Sequence, residues 1–463
     1  MTQTLADHFS HGNALFRQRR FAEALEQYDL GLALRPGQPR LLLNRGQALR
    51  NLGRHDEAIE ALEASAHAEP ANPEPLKALG QLLFAVRRPD EAAACAARAL
   101  ALDPRDAAQQ ALRGVALRMA RRPHEAIAAF RAAQALDPSG RYMSYIGGCE
   151  LLLGEFEQGW RDFDTRGHSR QAAERAACKA PKWRGQDPRG KTILVHAEQG
   201  LGDSIHFSRY LPMMAAAGAK ILFAPQRPLR RLFASLDWPH GAAPMTLVDL
   251  ADPDLRFDYQ VRTMSLPLAF STRLETIPAH TPYLAPEPAL ASYWRSALGE
   301  RGFKVGVAWT GSANAVDAGR SFDPRWLAPI ARLPGVRLIS LQKDDPDHDR
   351  ASLAAIGIET LDPELDAGED AFVDTAAAIA ACDLVITLDS AVAHLAGALA
   401  RPTWIALSRH GEWRWLEDRA DSPWYPTVRL WRQTTLDEWA PVFEAMRAEL
   451  ELGSYSAPDA GTP

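Results

Sequence analysis

At 463 residues the chain is too long for a single hydrophobic core, and two or three domains of about 100 to 200 residues are expected. A net charge of −6 argues against a general nucleic-acid or membrane-surface binder, which needs a basic bias. Cys95, Cys149, Cys178 and Cys382 show no CxxC spacing, so neither a disulfide framework nor a zinc site is indicated; the N-terminus lacks an apolar h-region, and no run of about 18 apolar residues occurs. The chain therefore reads as soluble and cytoplasmic, with no nucleic-acid partner and no membrane span.

The first third is periodic. Gly12, Gly46, Gly80 and Gly114 recur every 34 residues, and so do Pro36, Pro70, Pro104 and Pro138. Ala24, Ala58, Ala92 and Ala126 keep the same frame, with Tyr28, Leu62, Ala96 and Phe130 four residues later. Small residues let two antiparallel helices approach, and each proline marks the end of the second helix. The pattern resembles the tetratricopeptide repeat, a stacked helix-turn-helix unit that commonly presents a concave surface to a protein or peptide. Residues 1–165 are expected to form this α-solenoid, with a degenerate fifth unit (Gly148 to Phe163) as cap or junction. Asn44 is alone at its repeat position, where the other units carry Ser10, Ala78 and Leu112, so no asparagine ladder for reading peptide backbone is expected.

All twelve tryptophans lie at or after Trp160, so composition changes where the repeats stop. Residues 166–190 read as a polar connector. Short apolar runs at 192–197, 219–225 and 245–250 read as strands, with helices at 204–218 and 227–236 between them. After a proline-rich stretch and a helix near Tyr293 to Leu298 the alternation resumes, with strands at 304–310, 336–342, 383–389 and 403–408 and helices at 324–333, 371–382 and 391–400. Strands alternating with helices imply parallel sheets. The expected architecture is an α-solenoid followed by two Rossmann-like α/β halves, 191–290 and 291–463, whose strand ends would face a common cleft.

Two strand-to-helix junctions carry the chemistry. In 197-AEQGLGDSIHFSRYLP-212, Gly200 and Gly202 fill only the first two positions of G-x-G-x-x-G, and Ile205 stands at the third. The next strand lacks a terminal acid for a ribose, so a dinucleotide site is rejected, and no P-loop is present. What remains is a turn that permits close backbone approach to a ligand, followed by Asp203, which is either a helix cap or a carboxylate facing the cleft. In 387-TLDSAVAHLAGAL-399, the backbone at Ser390, Ala391 and Val392 opens a helix toward any anion, and His394 lies on the same face; the competing role is a capped helix with His394 satisfied in an interface.

Together, Gly-x-Gly-Asp after one half's first strand and Asp-Ser-x-x-x-His after a late strand of the other resemble the glycosyltransferase family that includes the lipopolysaccharide heptosyltransferases, over roughly 190 to 450. The chain is also similar to bacterial proteins in which tetratricopeptide repeats precede such a domain, through 340-SLQK-343 and 422-SPWYPT-427 as well. The resemblance implies a GT-B fold, no bound metal or other cofactor, a nucleotide-sugar donor, Asp203 as general base, and Asp389, Ser390, Ala391 and His394 as donor contacts, though the family often has glycine at the position of Ala391. Gly200, Gly202, Thr310, Ser312, Arg320 and Lys343 complete the candidate donor site, the two cations facing the departing diphosphate. Glu198 and His206 stand next in line as base. Asp252-Pro-Asp254 and Asp345-Pro-Asp347 match a metal-binding D-x-D only formally, and Trp413, Trp415, Trp424 and Tyr425 are expected to pack a core or a domain boundary. The implied function is glycosyl transfer with a protein acceptor or partner on the repeats; the alternative is a non-catalytic adaptor that retains the fold.

Overall fold

The computed structural model describes residues 4–166, 180–241, 243–311, 319–343, 347–361 and 365–453, and divides into two compact units, 1–150 and 151–463. The first unit is a stack of antiparallel helix pairs: α1 (Leu5–Arg17) with α2 (Phe21–Leu34), α3 (Pro39–Asn51) with α4 (His55–Ala68), α5 (Glu74–Ala85) with α6 (Pro89–Leu102), and α7 (Ala107–Met119) with α8 (Pro123–Leu136). The glycine ladder has a direct cause. A Cβ on Gly12 would sit 2.5 Å from the Tyr28 ring, and one on Gly114 would sit 2.6 Å from the Phe130 ring, so in these two pairs the aromatic residue of the second helix lies where the first helix has no side chain. Where the partner is Ala96, Gly80 has more room, and its nearest neighbour is Leu112 at 3.3 Å.

The unit boundary falls ahead of the one expected at 165. Helix α9 (Met143–Leu152) straddles it, and α10 (Phe156–Phe163) lies wholly in the second unit, because Phe156 and Trp160 are buried in that unit's core and the Trp160 indole N–H donates to the Thr272 carbonyl at 3.0 Å. The tail of the degenerate fifth repeat thus starts the second unit.

The second unit contains two all-parallel sheets among its described residues. The smaller has β1 (Thr192–His196), β2 (Lys220–Ala224), β3 (Thr246–Leu247) and β4 (Tyr259–Arg262) in the order β3-β2-β1-β4. The larger has β5 (Phe303–Ala308), β6 (Val336–Ser340), β7 (Ile358–Glu359), β8 (Leu384–Leu388), β9 (Thr403–Leu407) and β10 (Val428–Arg432) in the order β10-β9-β8-β5-β6-β7. Each ladder turns back where β1 and β5 start, the switch point at which open α/β sheets form a ligand crevice. One apolar core runs through both sheets' neighbourhoods, from Val195 and Phe223 to Val385, Ile405 and Trp424, and a second, including Val307, Leu338, Ile386 and Phe443, is built around the larger sheet.

Several expected elements differ. The helix expected over 204–218 is interrupted between α11 (Leu201–Phe207) and α12 (Tyr210–Ala216), where Ser208 Oγ and Arg209 Nε donate to the Ile205 and His206 carbonyls that a continuous helix would use. The segment 227–236 forms two 3₁₀ turns in place of a helix, because burying Leu229, Leu232 and Phe233 needs only a spacing of three or four residues, which a tight turn supplies. Strands β4 and β10 mix arginine with their apolar residues and β7 is two residues long, so none shows the continuous apolar run that marks the strands expected from the sequence.

Candidate active site

Asp203 sits in the first turn of α11, directly past the carboxyl end of β1. One carboxylate oxygen accepts from the Gly200 N–H at 2.9 Å, which is the capping role. The other accepts from the guanidinium of Arg414, which lies in a 3₁₀ turn (Trp413–Trp415) after β9 of the larger sheet. Burial pushes the Asp203 carboxyl above its ordinary value, and the negative neighbours Glu198 and Asp389 add to that rise, while Arg414 and the Gly200 N–H oppose it. A raised carboxyl is the tuning a general base needs near neutral pH.

Arg414 is the residue that sequence reasoning passed over. Its side chain is 8% exposed, lies 4.2 Å over the Trp413 ring and 5.6 Å over Phe207, and bridges Asp203 to Glu412. Glu412 also accepts from the Arg414 backbone N–H at 2.8 Å. Burial pushes the Glu412 carboxyl up to about 7 despite that arginine. The available signal was a cation between two indoles in 412-EWRW-415, which an exposed arginine seldom shows.

Asp389, at the end of β8, has both oxygens engaged: Arg320 donates to one at 3.1 Å and the Trp415 indole N–H to the other at 2.9 Å. Burial acts to raise this carboxyl, but Arg320, His394 and the indole bond outweigh it and hold it below the ordinary range. Ser390 is the N-cap of α18 (Ala391–Ala398) and supplies no side-chain cap bond to the helix. Thr310, after β5, has its backbone N–H on Gln342 at 3.0 Å and its hydroxyl 3.3 Å from Ser321. Lys343 turns its ammonium onto the Asp366 carbonyl at 2.6 Å. Ser312 and the Asp345 end of the second D-x-D lie outside the described residues. Asp252 and Asp254 form an exposed turn in which one carboxylate accepts the other's backbone N–H.

Three placements differ from those the sequence suggested. Gly202 is packed against α18: a Cβ there would stand 3.1 Å from Ala391 Cα and 3.2 Å from the His394 ring. Gly202 and Ala391 are small so that two helix N-termini can meet. His394 is 5% exposed, with Nδ1 on the Tyr425 hydroxyl at 3.0 Å and its ring stacked on Trp415, so this nitrogen serves the interface between the halves. Burial and the nearby arginines hold it neutral down to about 3. The reserve bases are also committed. Glu198 is buried against Arg166 at 2.6 Å, and His206 bonds the same Tyr425 hydroxyl at 2.9 Å. The aromatic cluster is the packing expected, since Trp415, Trp424 and Tyr425 are fully buried.

In the first unit a cavity of about 260 Å³ is lined by Phe16, Gln47, Arg50, Asn51, Leu62, Ala78 and Gln81. Asn44 is used internally, donating to Asn13 at 2.7 Å. Among the described residues no helix is long and apolar enough to cross a membrane.

Comparison with known proteins agrees with this division. Residues 9–73 and 77–141 match the tetratricopeptide repeat model, and residues 327–434 match glycosyltransferase family 9 (heptosyltransferase). Protein FlbA of Caulobacter vibrioides is 31% identical over 310 residues, covering 63% of this chain and 52% of FlbA, so the chain spans about half the length of this curated relative. Among solved structures, MamA from Desulfovibrio magneticus RS-1 is 19% identical over 39% of this chain and 99% of its own, with a TM-score of 0.34. YrrB, described as a TPR protein with an unusual peptide-binding site, is 20% identical over 37% of this chain and 91% of its own, with a TM-score of 0.33. The chain joins N-terminal tetratricopeptide repeats to a C-terminal domain of glycosyltransferase family 9, the heptosyltransferase family.

Proposed function

We propose that the chain is a metal-independent GT-B glycosyltransferase that moves a sugar from a nucleotide-sugar donor to an acceptor, with a protein partner or protein acceptor held on the repeats. The supporting observation is the meeting of Asp203, from the end of β1, with Arg414, Arg320 and Asp389 at the carboxyl edge of the larger sheet. In this mechanism Asp203 takes the proton of an acceptor hydroxyl as that oxygen attacks the anomeric carbon. The bond to the nucleoside diphosphate breaks in the same step, with inversion. Arg320, Arg414 and the N-terminus of α18 at Ser390 and Ala391 face the charge that develops on the leaving diphosphate. Gly200, Thr310 and Lys343 border the same edge, with Ser312 following Thr310 in the chain. The polar lining of the array's cavity by Gln47, Asn51 and Gln81 suits hydrogen bonds to a peptide.

The deciding experiment is a thermal-shift screen of nucleotides and nucleotide sugars, since a ligand at 100 times its Kd stabilises the native state by about 2.7 kcal/mol. Transfer is then measured for wild type and Asp203→Asn. Asparagine retains the cap, whereas loss of a general base lowers turnover by about 10²- to 10⁴-fold. The close contact of Gly202 with Ala391, which joins the two helix ends, favours the alternative of a non-catalytic repeat adaptor with a retained glycosyltransferase-like domain. Absence of any response to nucleotides would decide for the adaptor.

A further inference from the structure

Arg320 and Arg414, at the carboxyl edge of the larger sheet, are each neutralised by carboxylates of the chain itself. Arg320 lies on Asp389, and Arg414 lies between Asp203 and Glu412. Neither can give full charge to a diphosphate while it stays there. The two pairs differ in what remains when the cation leaves. Asp389 keeps the Trp415 indole N–H, so its position survives the loss of Arg320. Among the described residues, Asp203 keeps only the Gly200 N–H on its other oxygen, and the oxygen that Arg414 held becomes open.

We propose that Arg414 is shared between the candidate base and the donor, so that a nucleoside diphosphate group draws the guanidinium off Asp203 and thereby frees that carboxylate to accept a proton. The proposal rests on the glycosyltransferase assignment above and adds an order to it, with donor bound before the base acts. Geometry supports the transfer. Arg414 extends from a short turn whose neighbours, Trp413 and Trp415, are buried, so the backbone is fixed and the side chain alone has to move. Its Nε is buried without a hydrogen-bond partner among the described residues, so the pairing seen there leaves part of the guanidinium unsatisfied. Glu412 can lose the cation at little cost, because it retains the Arg414 backbone N–H and its carboxyl, pushed up by burial, takes a proton near neutral pH. Without Arg414, Asp203 loses the main influence that opposes its burial, and its proton affinity increases at the moment the acceptor requires it.

The test is a mutant cycle read by binding affinity. UDP, GDP, ADP and CDP are titrated calorimetrically into the full chain, and the one that binds is carried through. Asp203→Asn releases Arg414 in advance and should tighten the nucleoside diphosphate at least tenfold, with thermal unfolding as the control for folding. Removing any nearby negative charge would also tighten an anion somewhat, so the second comparison decides: Asp203→Asn with Arg414→Gln should lose that gain. The double variant is used because Arg414→Gln alone would leave Asp203 buried and unpaired, a change that can unfold the domain. A nucleotide that binds wild type and Asp203→Asn within twofold overturns the shared arginine while leaving the glycosyltransferase assignment intact. So does a gain that survives the loss of Arg414. Failure of all four nucleotides to bind any variant removes the donor site itself, and the shared arginine with it.

Discussion

Tyr425 offers the sharpest test of how the two α/β halves are held together. Its hydroxyl is fully buried and lies 2.9 Å from His206 Nδ1 and 3.0 Å from His394 Nδ1, one histidine from each half. A phenol has one proton and two lone pairs, so it can donate to one ring nitrogen and accept from the other, or accept from both. Burial holds both imidazoles below their ordinary range and so neutral, and each Nδ1 donates or accepts according to its tautomer. Tyr425→Phe keeps the ring and its packing over Arg209, whose guanidinium is 4.3 Å from the ring centre, and removes only the oxygen. Two buried nitrogens lose their partner. At about 1–3 kcal/mol for each buried polar group left unsatisfied, the expected loss is about 2–6 kcal/mol. All twelve tryptophans lie at or after Trp160, so urea unfolding followed by tryptophan fluorescence reports the second unit without the repeats. A loss of stability under about 0.5 kcal/mol would mean that the hydroxyl does not bridge the histidines and that other contacts join the halves at this point.

The other predictions concern packing, pH and the array. His394→Ala should lower the second unit's stability by about 2–4 kcal/mol, through the lost Tyr425 bond and the lost stacking on Trp415, and the same fluorescence assay measures it. Gly202→Ala puts a methyl 3.1 Å from the Ala391 backbone; overpacking of about 1–3 kcal/mol outweighs a helix-propensity gain of at most about 1 kcal/mol, so a net loss of stability is expected. Between pH 4.5 and 7 the folded chain binds a proton at Glu412 that the unfolded chain does not, so this group's contribution to stability falls as pH rises through that window. Glu412→Gln should therefore remove a slope of about 1.4 kcal/mol per pH unit, and urea unfolding of the variant from pH 4.5 to 6.5 should show a steeper acid loss than wild type, as the buried histidines then act unopposed. A fragment of residues 1–165 should give a strongly helical circular dichroism spectrum; an unfolded spectrum would refute the independence of the array.

The repeats were legible because their information is local and repeated. In three of the four repeats the glycine faces the residue 16 positions later, as Gly12 does Tyr28, Gly46 does Leu62 and Gly114 does Phe130, so the 34-residue period made these contacts legible. The alternation of strands with helices was legible for a similar reason, since a buried parallel strand such as Leu384–Leu388 must be apolar throughout. Asp203 and Asp389 could be picked out as strand-end carboxylates before any fold was known. Their partners could not. Arg414 lies 211 positions from Asp203, and His206 lies 219 from Tyr425, so no spacing rule connects them. The contact of Gly202 with α18 was hidden on the same ground: a glycine after a strand has the same local signature whether a phosphate or another helix comes close to it. Sequence determined which residues stand at the ends of strands. Only the packing of the second α/β half on the first decided which charges and hydrogen bonds those residues meet, because burial and pairing depend on the chain's distant segments.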